Sequence, residues 1–466
     1  MNSNENLLNN PFKDNTANNS GMWIHIWLAL PCLAMYFIGP EIVKYLLIPY
    51  PIILLYKKEA KYLPAIIIHT LAGSSISYML LLACFFLAIL NYKYIVAYRL
   101  HFLFLIISLP MPYMLFNFYI RFLVLKLPLS DSLNPIQYYL GVFPFFYGIL
   151  VFRKMNKEIL LALFYVFFMI MTFHTIRLFD FKYRITFALY PLFFSVFIIS
   201  FLKSYTNYFP KGIKYIAYGA FLFFLIDINE ASLTLLLSIF VAILTIYRFK
   251  ESNVLVLEKE KYFYKFGFPI SVVLILWLVI SNSGIDGAQT NTAVLHQTWD
   301  VTNFDQLFDR MIVKLTSDRM PLWKSVYKNT FVDNQLWFPP LILGEYWVED
   351  TFGNFSEITY GAHNLYLELN RTNGIVLGTL LFLVFSYMLV KGAQIFRLRM
   401  PKSLVTNHLM KMFYAAFLAA GFFGTLFGQY PLMVGVSFSL LTLAGISYGI
   451  YYEQVYNAKM RQMFNL

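Results

Sequence analysis

Apolar runs approaching twenty residues recur along this chain, and that recurrence limits its fold more than any motif does. Examples lie at 159–173, 185–202, 231–247, 266–280, 374–390 and 413–427. Coiled as α-helix, such runs are long enough to cross a ~30 Å hydrocarbon layer. A transmembrane β-barrel needs ~10-residue segments of alternating polarity, and the sequence has none. The chain is 59% hydrophobic and 13% charged, where a water-soluble domain carries about 25% charged residues. The expected fold class is therefore all-α: a polytopic integral membrane protein of about 12 transmembrane helices with one large helical loop. Cys32 and Cys84 both lie inside apolar runs, where they read as small buried hydrophobes and not as a disulfide or metal framework.

The expected organisation follows from charge. Residues 1–21 are Asn-rich and polar, as in a disordered cytoplasmic tail. The run after them has no basic flank and no small-residue cleavage site, so it reads as a retained first span. Transmembrane helices then occupy 22–282, a polar loop 283–372, further helices 373–452, and a second cytoplasmic tail 453–466. Basic clusters fall at Arg153/Lys154/Lys157, Lys203/Lys211/Lys214, Arg248–Lys265, Lys391–Lys402 and Lys459/Arg461. Neighbouring clusters are separated by two apolar runs, which puts all five on one side. Lys and Arg collect in short cytoplasmic loops, so that side is the cytoplasm and the 283–372 loop lies outside. The loop carries a net charge of −5 and the remainder +17, against +12 for the whole chain. The basic balance thus reflects topology, and no nucleic-acid partner is expected.

One outside turn runs against this rule. Around His174, Arg177, Lys182 and Arg184 place permanent cations on the outer face, balanced only by Asp180. Either they reach lipid phosphates, or they hold the phosphates of a lipid-linked substrate. Arginine suits the second role because its fork of donors matches phosphate oxygens. Within the loop, Arg319 and Trp323 stand four apart, on one face of a helix that Asp318 can cap and whose first turn accepts Pro321. Farther on, His363 and Asn364 precede an apolar run, placing a titratable imidazole near the N-terminus of a helix that enters the membrane.

The order Arg319-x-x-x-Trp323, then Gly344, then Ala362-His363-Asn364-x-Tyr366-Leu367, then Gly374-x-x-x-Gly378 resembles the O-antigen ligase/polymerase superfamily. The likeness is sharpest over 310–382, and span order supports it back to about residue 150. It implies a metal-independent, inverting glycosyltransferase of the bacterial inner membrane, with its loop in the periplasm and no cofactor. The implied partners are an undecaprenyl-pyrophosphate-linked glycan, the lipid bilayer and other polysaccharide-assembly proteins. His363 matches the family's base or substrate-orienting histidine, and Arg319 its diphosphate-contacting loop arginine. Arg184 is similar to an earlier outside arginine. Trp323, Asn364 and Tyr366 are candidate sugar contacts.

The sequence departs from the family pattern at Glu230, which stands where many members carry an arginine. Arg177, Lys182 and Arg184 are then the candidates to supply that charge. The leading expectation is a polymerase of lipid-linked repeat units of O-antigen or capsular polysaccharide. A ligase or O-oligosaccharyltransferase using the same donor is the close alternative, and a lipid-linked glycan flippase the alternative from another class. No HExxH motif, paired-carboxylate motif or Gly-rich phosphate loop occurs, and no metal site is expected.

Overall fold

The computed structural model describes residues 24–31, 49–72, 74–166, 320–341, 346–349, 355–358, 364–398, most of 406–418, and 434–463. These residues are overwhelmingly helical. Three helical stretches among them are long and apolar enough to cross a bilayer: His101–Val124, Pro135–Lys154 and Leu365–Arg397. The chain is thus a helical membrane protein. The principal helices are α1 (Pro49–Tyr56), α2 (Leu63–Ala72), α3 (Ser74–Leu90), α4 (Tyr92–Ala97), α5 (His101–Ser108) and α6 (Met111–Tyr119). They continue with α7 (Leu129–Leu140), α8 (Pro144–Val151), α9 (Met320–Tyr327), α10 (Leu365–Ala393) and α11 (Val434–Met463). The expected loop is not purely helical. An antiparallel pair, β1 (Tyr346–Glu349) and β2 (Phe355–Ile358), lies within it, with Tyr346 opposite Ile358.

The centre of the bundle is the crossing of α8 on α11, and small residues make it close. Water does not drive helices together inside a bilayer, so near approach of backbones takes over. A Cβ added to Gly445 would collide with the Phe145 carbonyl, and one on Gly148 with the Thr442 carbonyl. One turn on, Gly449 lies flat against the Phe152 ring. Ser437 donates to the Gly141 carbonyl and Thr442 to the Pro144 carbonyl at 3.4 Å, so both hydroxyls are satisfied without water. The contacts advance together along both helices, which therefore run parallel. The long part of α10 joins this core through tyrosines. Tyr139 donates to the Leu377 carbonyl at 3.1 Å and Tyr414 to the Leu389 carbonyl at 2.6 Å. Cys84 is fully buried.

Basic clusters far apart in sequence meet at one end of the bundle. Arg153 pairs with Glu453 at the end of α11, and Tyr98 donates to the same carboxylate at 3.0 Å. Burial, with that carboxylate beside it, pushes the Tyr98 phenol well above its ordinary range, so it remains a donor. Lys58 donates to Asn91, and Lys391 lies over the Tyr448 ring. Lys411 donates to the carbonyl of Leu398, just past the short turn that follows α10, at 2.6 Å. The opposite end is built from the end of α6, the start of α10 and the segment following α9.

The α8–α11 contact sets a stability test. Gly445→Val, which overpacks the crossing at a cost of about 1–3 kcal/mol or more, lowers the detergent-solubilised melting temperature by several degrees. Leu383→Val, on the exposed side of α10, leaves it within about a degree.

Candidate functional site

The site begins with a length problem. The stretch Leu365–Arg397 holds 33 residues, or about 50 Å of straight helix, too long for a ~30 Å layer. It breaks at Gly374, which takes φ 76° and ψ 161°. The two limbs fold back on each other about this elbow. Gly378 lies against the Leu369 carbonyl, Thr379 donates to Asn370 at 3.0 Å, and the Tyr366 and Phe382 rings meet at 5.3 Å. The partners in each pair lie at nearly equal distances from Gly374 on its two sides, and the distances grow together, as in an antiparallel hairpin. The second limb, about 34 Å long, is then a single crossing. Glycine is required at 374: its φ is left-handed, and a Cβ there would meet the backbone of Phe338.

The short limb starts at Asn364, whose side chain accepts from the Leu367 amide at 3.1 Å. It carries a buried ion pair. Arg371 donates twice to Glu368, at 3.1 and 2.6 Å, and their side chains are 11% and 3% exposed. Tyr138 of α7, buried, is within electrostatic reach of both groups. Arg121, buried after α6, is within reach of Arg371 and donates to the Pro340 carbonyl at 3.2 Å. Among the described residues, two arginines and one carboxylate thus come together in a buried place. Charges at such depth are costly unless paired, and they mark functional places in membrane helices.

Two widened turns frame this cluster. The Leu125 amide bonds to the Ile120 carbonyl and that of Leu127 to Arg121, around Lys126 at φ 55°. The Asn334 amide bonds to Asn329 and that of Leu336 to Thr330, around Gln335 at φ 44°. Arg121 and Thr330 therefore occupy equivalent positions in two copies of one π-helical cap, a local form concentrated at functional sites. Three buried polar atoms, Asn117 Oδ1, Asn373 Oδ1 and Thr330 Oγ1, have no hydrogen-bond partner among the described residues.

The structure brings together the two stretches that the sequence singled out. Trp323 and Val326 of α9 pack on Leu367 of the short limb, with Phe331 and Tyr366 around them. Tyr366 stacks with Phe331 at 6.2 Å, and its hydroxyl lies 3.5 Å from Thr379 Oγ1. Asn364 caps its helix, as described above. Arg319 and His363 lie outside the described residues, next in sequence to α9 and to the Asn364 cap respectively. Arg177, Lys182 and Arg184, and Glu230, also lie outside them. Sequence reasoning missed Arg121, Tyr138, Glu368 and Arg371. The signal for the last two was an i, i+3 opposite-charge pair beside an apolar run. Among the described residues no group of three or more His, Cys, Asp or Glu side chains is placed to hold a metal ion.

No protein-family model matches this sequence. Neither a curated protein nor a solved structure matches it.

The ion pair makes a double-mutant prediction. Glu368→Gln strands a buried guanidinium and should cost about 3–5 kcal/mol. Glu368→Gln combined with Arg371→Gln should recover much of that loss. Melting curves of both variants and the wild type in detergent test the coupling, and equal losses in the single and double variants would exclude it.

Proposed function

We propose that this chain is a polymerase joining undecaprenyl-pyrophosphate-linked repeat units of O-antigen or capsular polysaccharide. In this reading it has about 12 spans in the bacterial inner membrane, with the loop containing α9 on the periplasmic side. The observation that carries the proposal is the packing of Trp323 and Val326 on Leu367. It sets the helix that follows Arg319 against the limb that follows His363, the two stretches whose order in the sequence carries the family resemblance. The sidedness is supported by the basic end of the bundle, formed by Lys58, Arg153, Lys391 and Lys411, which lies opposite that contact.

The chemistry divides among this chain's residues. His363 takes the proton from the acceptor hydroxyl, a contribution worth about 10²–10⁴-fold. That oxygen attacks the anomeric carbon as the bond to the diphosphate breaks, inverting configuration. Arg319, with Arg177, Lys182 and Arg184, meets the charge developing on the leaving diphosphate. No metal or cofactor takes part in this scheme. Asn117, Thr330 and Asn373 hold buried polar atoms without a hydrogen-bond partner among the described residues.

A second reading has its own observation. A broken helix with buried charge at its elbow is also what a flippase for lipid-linked glycan would use. One experiment separates the readings. Deleting the gene in the native host should shorten surface glycan to a single repeat unit on its acceptor. Loss of all attached repeats, with long glycan accumulating on the lipid carrier, would indicate a ligase. Accumulation of single lipid-linked units on the cytoplasmic face would indicate a flippase. His363→Ala and Arg319→Ala should each abolish polymer while the protein still reaches the membrane, and EDTA should leave transfer unchanged.

A further inference from the structure

The segment Gln335–Leu341 is an irregular stretch of backbone inside a helical bundle. Its carbonyl oxygens and amides are used in an unusual way. The Leu336 carbonyl accepts from the Ile375 amide at 2.7 Å and the Trp337 carbonyl from the Val376 amide at 3.2 Å. These are the donors freed by the break at Gly374. The Trp337 amide is bonded to the Gln335 carbonyl at 2.8 Å, and the Pro340 carbonyl takes the Arg121 guanidinium. Pro339 and Pro340 have no amide hydrogen to satisfy. No residue from Gln335 to Leu341 is charged.

Its depth follows from what it touches. The Phe338 ring meets Tyr113 at 6.3 Å, while Pro340 meets Arg121. Tyr113 falls near the middle of the span His101–Val124, and roughly 12 Å of helix separates it from Arg121. The segment therefore descends beside the span instead of lying above it. Irregular backbone is tolerated at that depth only where its polar groups are satisfied by protein, and the bonds above satisfy the carbonyls of Leu336, Trp337 and Pro340 and the amide of Trp337.

The side chains face the other way. Trp337 is 55% exposed, Phe338 59% and Leu341 48%. They continue the exposed aromatic surface of Tyr113, Phe116 and Tyr119 on α6, the lipid-facing side of a membrane span. Indole rings in particular favour the boundary between hydrocarbon and headgroups. We infer that Gln335–Leu341 is a re-entrant membrane segment, with Trp337, Phe338 and Leu341 seated among lipid acyl chains. The occupant of this surface is the bilayer itself. The inference rests on the membrane fold alone and is independent of the glycan reading.

The test uses the full chain in phosphatidylcholine nanodiscs, on a Cys32→Ser/Cys84→Ser background. A bimane probe is placed at Trp337→Cys and, in a second variant, at Leu341→Cys. Phe116→Cys serves as the lipid-facing reference and Lys328→Cys as the aqueous one. Replacing the lipids with acyl-brominated ones should reduce emission about twofold at 337, 341 and 116 and leave 328 unchanged. Aqueous iodide should quench only 328. Emission at 337 and 341 that ignores bromination but responds to iodide would overturn the inference. So would emission that ignores both quenchers in discs holding two copies, because a second chain would then cover the surface.

Discussion

Breaking a helix inside a membrane exposes backbone groups that lipid cannot satisfy, and the arrangement around Gly374 is organised by that constraint. The break leaves the amides of Ile375 and Val376 without intrahelical partners. The carbonyls of Leu336 and Trp337 accept from them, which ties a distant segment of chain to the elbow. Two prolines remove two amide donors that the segment would otherwise bring. Phe338 backbone then occupies the space that any side chain at 374 would need. Elbow, docked segment and glycine are thus one device, and none of the three has an obvious place without the others.

The same elbow locates the charges. Folding the short limb back places Glu368 and Arg371 against α7 and near Arg121, and not out in the loop solvent. The energy to hold that limb in place comes from elsewhere. The Trp323–Val326–Leu367 cluster and the Tyr366 stack press it from one side, and the Tyr366–Phe382 contact holds it to the second limb. The second limb in turn is fixed by tyrosine hydroxyls on its carbonyls and by the glycine-rich α8–α11 crossing. Rigid packing at the centre therefore supports an irregular, polar end, the usual division of labour between scaffold and site.

The helical membrane class was legible because it rests on composition. Of the six span-length runs, 374–390 lies in a described stretch long enough to cross a bilayer, and the others lie wholly or partly outside the described residues. Span-length apolar runs report helices, and the meeting of Lys58, Arg153, Lys391 and Lys411 at one end follows from the same Lys/Arg bias that the sequence displays. The Gly374-x-x-x-Gly378 spacing was visible as a pattern, but its meaning was not. A glycine pair of that kind usually reports a helix–helix contact, and here the contact is between the two limbs of one helix. The widened turns at Arg121 and Thr330 were illegible for a different reason. Their left-handed residues are Lys126 and Gln335, where glycine would be the expected sign. At Arg121 nothing local announces burial by a segment more than two hundred positions later.

The buried arginine after α6 ties several elements together. Glu368 meets Arg371 at short range with two bonds, and Arg121 lies within electrostatic reach of that pair. The Pro340 carbonyl accepts from the Arg121 guanidinium at 3.2 Å, which links the docked segment to the same cluster. In low dielectric the fields of such charges extend farther than they would in water. The cluster lies beside the limb that begins next to His363. Its placement beside the docked segment brings buried charge and the exposed side chains of Trp337, Phe338 and Leu341 to the same end of the bundle.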